Sequence, residues 1–269
     1  MQLSLDHISV TDTTPSQLAR LAAAMGCSGI CPFLHAMEVL PAMPRYDLVA
    51  DVTERRATRA LIDDLGLSVD LVYPFTLAGR TIVADFAPVL EAAADLGAPL
   101  ANILCYDRDP ARRVEKLSEL AELAAPYGIA LGIEFYPPSQ IRTLAEALAL
   151  IEATGSDSIG VVLDMLHLMR GGALAESVPL LGDPRIRVVQ LADGPAEMAA
   201  DRVEWEAGLQ RLLPGEGALD FPELLAALHP DALFSVEAPR QDAIDQGVPV
   251  EQRARQAVEA ARAVLRQRQ

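Results

Sequence analysis

Positive charge, aromatic side chains and cysteine are all scarce in this 269-residue sequence. Lys and Arg number 22 against 38 Asp and Glu, for a formal net charge of −16 and a pI near 4.6. No basic stripe exists, which argues against a nucleic-acid partner or an anionic membrane surface. Three cysteines, Cys27, Cys31 and Cys105, form no even framework, and Cys27 and Cys31 have the wrong spacing for CxxC redox or zinc chemistry. They read as reduced, mostly buried residues of a cytoplasmic protein, with Cys105 closing a strand as a small core residue. Aromatics make up 4% of the chain, and alanine and leucine fill the apolar positions, which suits helices around a sheet better than an all-β sandwich. No apolar run approaches the ~20 residues that cross a bilayer. The opening MQLSLDHISV has neither the basic n-region nor the apolar h-region of a signal peptide. No glycine-rich phosphate loop follows the first strand, which demotes a doubly wound dinucleotide fold.

Hydrophobic residues, in contrast, make up 51% of the chain, enough for a sizeable core. Short apolar runs recur at 3–10, 28–33, 68–75, 100–105, 129–135, 159–163, 186–191 and 233–236. Segments of helical periodicity lie between them, such as 111-ARRVEKLSELAELAAPYG-128 and 140-QIRTLAEALALIEATG-155. Thr14 with Pro15 predicts a capped helix start, and Gly128 and Gly155 sit where left-handed C-caps are wanted. Eight strands alternating with helices predict a (β/α)8 TIM barrel, one α/β domain over 1–269. Two long stretches, 32–47 and 193–220, read as irregular connections after strands, on the face where such barrels keep their active sites.

The strand ends carry the chemistry. Glu134 ends the fifth run, Asp164 the sixth, Gln190 lies near the end of the seventh with Asp193 beyond, and Glu237 ends the eighth. A carboxylate in an apolar strand costs several kcal/mol unless it is paired or bound to metal, and three side by side repel one another. A divalent cation at their centre resolves both problems. Three carboxylates and an amide oxygen suit Mg2+, Mn2+ or Co2+ better than zinc. One such acid alone reads as a helix cap, as Asp164 does before Met165; four adjacent strands together favour a metal site.

The series IEF, VLDMLH, VQLADG and SVEAP resembles the xylose-isomerase-like barrels, the sugar phosphate isomerase/epimerase superfamily. The resemblance covers the chain loosely and 129–240 closely. That group's usual metal set is Glu, Asp, His and Glu, which implies Glu134, Asp164, Gln190 and Glu237 as ligands and His167 as the histidine of its DxxH element. Glutamine in the third place is similar to the bacterial 3-dehydroshikimate dehydratase branch, as is the 188–221 segment, in which Arg211 matches an arginine that contacts substrate. This chain departs from the branch at Cys31-Pro32, where the branch has an acid. It also departs at Thr76, where the branch has an arginine and the nearest one here is Arg80. Both differences fall on the substrate side.

The resemblance implies a lyase that removes water from a hydroxy-ketone acid such as 3-dehydroshikimate. In that reading His167 is the base, since an unperturbed pKa of ~6.5 suits proton transfer near neutrality. Arg211 and Arg80 are candidates for a substrate carboxylate, and Tyr73 and Phe75 for the substrate wall. The alternative is an isomerase or epimerase in which Glu134 and Glu237 flank a cis-enediolate. The zinc endonucleases of the same barrel are rich in histidine ligands, whereas this chain has four histidines and strong negative charge. A non-catalytic binding protein on the barrel is a further class. A small-molecule substrate is expected, with self-association left open because barrels of this kind often associate. His7 and His35 are expected near the barrel mouth and Trp205 in a lid or an anchor. His229 is given no role.

Overall fold

The computed structural model describes residues 2–268. Nine parallel strands form one sheet: β1 Ser4–Asp6, β2 Gly29–Cys31, β3 Ser68–Val69, β4 Val72–Leu77, β5 Leu100–Cys105, β6 Ala130–Glu134, β7 Ile159–Asp164, β8 Ile186–Leu191 and β9 Leu233–Val236. Their order, β3-β2-β1-β9-β8-β7-β6-β5-β4, is that of a barrel whose third strand is broken in two. β3 pairs with β2, β4 pairs with β5, and a bridge from Phe33 to Tyr73 joins the two edges. The expected TIM barrel is thus present, with the third run divided at Asp70-Leu71.

Helices fill the connections. α1 (Pro15–Ala24) opens on a capping box between Thr14 and Gln17, with Pro15 in its first turn. α2 (Val52–Asp64) and α3 (Ala87–Asp95) follow; α4 (Pro110–Ala124) is capped by Asp109, and α5 (Leu144–Thr154) by a box of Thr143 and Glu146. Gly128 and Gly155 adopt the expected left-handed conformation, with φ of 70° and 63°. α6 (Met165–Arg170) starts directly at the end of β7, and the outer helix Val250–Leu265 closes the ring.

Two apolar clusters result. The larger fills the space between sheet and helices. The smaller joins interior side chains such as Leu100, Val162 and Val188 to Cys31, Phe33 and Tyr73 near the mouth. No helix among the described residues is long and apolar enough to cross a membrane.

Two expectations are corrected. The first run stays extended only to Asp6; His7–Val10 is a 3-10 turn, because the Asp6 carboxylate accepts the Ile8 N–H and bends the chain. The 193–220 connection is not structureless. It holds the helix Val203–Leu209 and is pinned by Asp193, whose side chain accepts from the backbone N–H groups of Gly194, Gly215, Gly217 and Leu219. A Cβ on Gly217 would collide with Asp193 and the Gly194 carbonyl, so this close approach needs glycine. Gln269 lies outside the described residues.

Candidate functional site

Register decides which side chains meet. Neighbours in register share a face, and every second residue returns to it. Asp164 pairs directly with Gln190, Glu134 pairs with Val162, and Gln190 pairs with Ser235. Two steps along β7 and β9 from those pairs stand Asp164 and Glu237. All four predicted ligands therefore face the barrel interior at one rim. Ser4 pairs with Ser235, which brings Asp6 to the same face, and Asn102 pairs with Gly132, two residues before Glu134.

All are buried. Glu134, Asp164 and His167 each offer a ligand atom within 4.8 Å of the others. His167 Nε2 lies 3.1 Å from Glu134 Oε1 and 3.6 Å from Asp164 Oδ2. Asn102 donates to Glu134 Oε2. Asp164 fulfils the helix-cap reading, and its second oxygen accepts from Arg211 Nη1. Oδ1 caps α6 by accepting from the N–H groups of Leu166 and His167 at 2.7 and 3.0 Å, while Oδ2 faces the cluster.

Arg211 enters from the 193–220 connection. Its backbone N–H donates to Pro239 O, and its side chain is fixed by four bonds. Nε donates to Ala207 O at 2.8 Å, Nη1 to Asp164 Oδ2 at 2.5 Å and to Glu237 O at 3.1 Å, and Nη2 to Glu237 Oε1 at 3.3 Å. The Val203–Leu209 helix that carries Ala207 is itself anchored by Arg170, which grips Glu206 through two bonds of 2.6 and 2.7 Å. Only 2% of the Arg211 side chain is exposed.

The electrostatics follow from burial. Burial alone would raise the Asp164 carboxyl, but Arg211, His167 and the helix N–H more than offset it and hold it below its ordinary value. Glu237 goes the other way: burial, together with Asp6, Asp164 and Glu134, pushes it well above the usual range despite Arg211. Asp6 is pushed up to about 7, mainly by burial, against the hydrogen bond from Tyr73. The cluster is short of positive charge. Three oxygens in it, Asn102 Oδ1, Gln190 Oε1 and Glu237 Oε2, are buried with no partner among the described residues, as is Ser235 Oγ on β9. Orphaned acceptors of this kind are rare in folded proteins and call for a ligand.

Above the cluster lies a cavity of about 220 Å³. Glu134, His167, Arg211, Glu237 and Asn102 form one side of it; Phe33, Met37, Val39, Leu40, Phe75 and Thr76 contribute to the other. Tyr73 lines it with its ring. Arg80 does not. It is exposed on the turn after β4, which Lys116 holds by donating from Nζ to the Ala78 and Gly79 carbonyls, so among the described residues no second arginine lines this wall. His7 is wholly buried, its Nδ1 accepting from Phe33 N and its Nε2 bonded to Thr13 O; burial lowers its pKa to about 4, and its role is structural. Trp205 is stacked by Arg202 of the same connection at 3.7 Å and is not among the residues that line the cavity. Asp6 and Asn102 were missed as site residues. The signal existed in each case, an acid ending an apolar run and an amide inside one.

The sequence profile of the xylose isomerase-like TIM barrel matches residues 19–267. The chain belongs to that family. It is 29% identical to a 3-dehydroshikimate dehydratase of Pseudomonas aeruginosa over 239 residues, 84% of this chain and 36% of that protein. It is 30% identical to an inosose isomerase of Halalkalibacterium halodurans over 162 residues, 55% of each. The chain thus spans about a third to a half of the length of these curated relatives. Among solved structures, the IolI protein with a bound zinc atom superposes with a TM-score of 0.81 at 19% identity, covering 98% of both chains. Its likeness concerns the fold. The curated relatives are thus dehydratases and isomerases, and the Glu134–Asp164–His167 cluster suits a divalent metal.

Proposed function

We propose that this barrel is a divalent-metal-dependent lyase that dehydrates a hydroxy-ketone acid, with 3-dehydroshikimate to protocatechuate as the leading reaction. The orphaned oxygens Gln190 Oε1 and Glu237 Oε2, beside Glu134 and Asp164, carry this reading. Those four side chains form an all-oxygen donor set that fits Mg2+ or Mn2+, with Co2+ as a third candidate. When bound, such an ion supplies Lewis-acid stabilisation of negative charge developing on a substrate oxygen.

The chain's own groups divide the remaining work. His167 lines the cavity and takes the proton α to the carbonyl. The β-hydroxyl then leaves as water, and loss of one water gives the aromatic ring. Arg211 balances Asp164 and Glu237, and Nη2, with one bond to Glu237, keeps a second N–H for a substrate oxygen. Similarity to the Pseudomonas dehydratase over 84% of the chain supports this choice.

One observation favours a second reading. Glu134 and Glu237 both line the cavity, the arrangement that moves a proton between two carbons of a ketose in an isomerase or epimerase. Similarity to inosose isomerases supports it over a shorter span. Incubating the Mn2+-loaded protein with 3-dehydroshikimate while following the ultraviolet absorbance of protocatechuate separates the two. Product is expected. No product together with turnover of a ketose selects the isomerase, and turnover of neither overturns both.

A further inference from the structure

The Tyr73 hydroxyl has two partners, and both belong to the protein. It donates to Asp6 Oδ2 at 2.6 Å and accepts from Gln190 Nε2 at 2.7 Å. Asp6 and Gln190 are 0% exposed and Tyr73 5%. With the phenol proton given to Asp6 Oδ2, the phenol oxygen is left to accept an amide N–H. That order matches one end of the Gln190 amide. Its nitrogen faces Tyr73, and its oxygen is one of the orphaned acceptors.

We propose that Asp6 and Tyr73 are positioning residues that hold Gln190 with its carbonyl oxygen toward the cation site. The proposal rests on the reading of Gln190 as a ligand. An amide has two ends of similar shape and opposite polarity. Turned over, it would aim an N–H2 group at the cation and repel it. A carboxylate has no such problem, since either oxygen binds, so of the four candidate ligands Gln190 alone needs its orientation imposed. Glu134 and Asp164 also have neighbours that fix them, Asn102 and the α6 N-terminus. At Gln190 the neighbour decides which atom is offered at all. The Tyr73 ring lines the cavity, but its hydroxyl is engaged elsewhere and does not wait for substrate.

Mn2+ affinity, read by calorimetry or by the electron paramagnetic resonance of free Mn2+, tests this without any assay of activity. Tyr73→Phe keeps the ring, which stacks on Phe33 at a centroid distance of 4.8 Å. It should weaken Mn2+ binding ~10–100-fold, the usual effect of removing a group that orients a ligand. Gln190→Ala should weaken it at least as much, and the double variant no more than Gln190→Ala alone, because Tyr73 acts through Gln190. Tyr46→Phe, which removes a half-buried hydroxyl bonded to Phe33 O and Met43 Sδ, should leave the affinity unchanged. Tyr73→Phe with wild-type affinity, or losses that multiply in the double variant, overturns the relay while leaving Gln190 as a ligand. Gln190→Ala with wild-type affinity overturns the ligand reading itself. Should Tyr73→Phe fail to fold, a crystal of the Mn2+-loaded wild type decides. The Tyr73 oxygen must lie within hydrogen-bond distance of Gln190 Nε2, and a hydroxyl bonded to Gln190 Oε1 or withdrawn from the amide overturns the proposal.

Discussion

Two halves of the barrel mouth face each other across the cavity. From β6 through β9 the rim carries Glu134, Asp164, Gln190 and Glu237, with His167 and Arg211 among them. From β2 through β5 and the connection after β2, the wall is Phe33, Met37, Val39, Leu40, Phe75, Thr76 and Leu104, with no charge. The charged half is closed on itself. Its charged groups are buried and joined by hydrogen bonds and ion pairs, while Gln190 Oε1 and Glu237 Oε2 are left without a partner among the described residues. The neutral half is open, with Val39 74% exposed at the mouth. Groups that must be held in place for chemistry sit where the protein surrounds them. Groups that need only to contact one substrate and not another sit where they can change without disturbing the core. Under the proposed function, reaction type belongs to the first half and substrate choice to the second, and the curated relatives of this chain do differ in reaction.

The sharpest way to break this division is to change the charged half alone. Glu134→Gln and Glu237→Gln should each lower kcat by at least ~10³-fold on any accepted substrate, since each removes a negative charge from the donor set and a group able to carry a proton. Retained turnover in either variant removes that residue from the proposed mechanism. Next in size, Arg211→Met removes the one guanidinium that answers Asp164 and Glu237. Deleting one partner of a buried pair costs about 3–5 kcal/mol, because the other charge is left uncompensated. Urea unfolding of the metal-free variant should show a loss of that order. Mn2+ should then raise the melting temperature of Arg211→Met by more than it raises that of the wild type, because the cation replaces missing positive charge. An equal rise in both would mean that Arg211 and the cation site are electrically independent.

How much of this was legible before the structure follows the same line. Glu134, Asp164, Gln190 and Glu237 stood out because each interrupts an apolar run at its C-terminal end, a pattern that burial makes costly and therefore informative. Asp6 does the same, but its strand is three residues long and gave the acid little context. Asn102 lies inside LANILC, where its face depends on the register of β5 against β6, a non-local property. Tyr73 was read as substrate wall, which its ring is, while the partners of its hydroxyl lie 67 and 117 residues away in sequence. Arg80 was assigned by proximity along the chain, and the turn after β4 carries it outward. The neutral wall was nearly illegible, because Phe33, Leu40 or Leu104 at a strand end reads like any core residue until the cavity beside it is seen. The barrel itself was legible throughout, since strand and helix periods alternate and the caps at Thr14, Gly128 and Gly155 mark their ends.

The smallest expected effect tests the neutral half. Thr76 is exposed on β4 and lines the cavity across from Arg211, whose guanidinium is already bonded to two carboxylates. Apart from the remaining N–H of Arg211, no cationic side chain lines the cavity among the described residues. Thr76→Arg would supply one at a position where the long side chain stays solvated, so stability should hardly change. A charge-assisted hydrogen bond contributes about 1.5–3 kcal/mol, and solvent at the rim argues for the lower end, which is roughly tenfold in affinity. KM for 3-dehydroshikimate should fall by about that factor with kcat within twofold, since the contact is the same before and during reaction. KM for an uncharged ketose should not move. A matching fall for the ketose would show that the new side chain merely narrows the cavity. A fall in kcat would place Thr76 in contact with the reacting atoms, and either result would erase the boundary between the two halves at this residue.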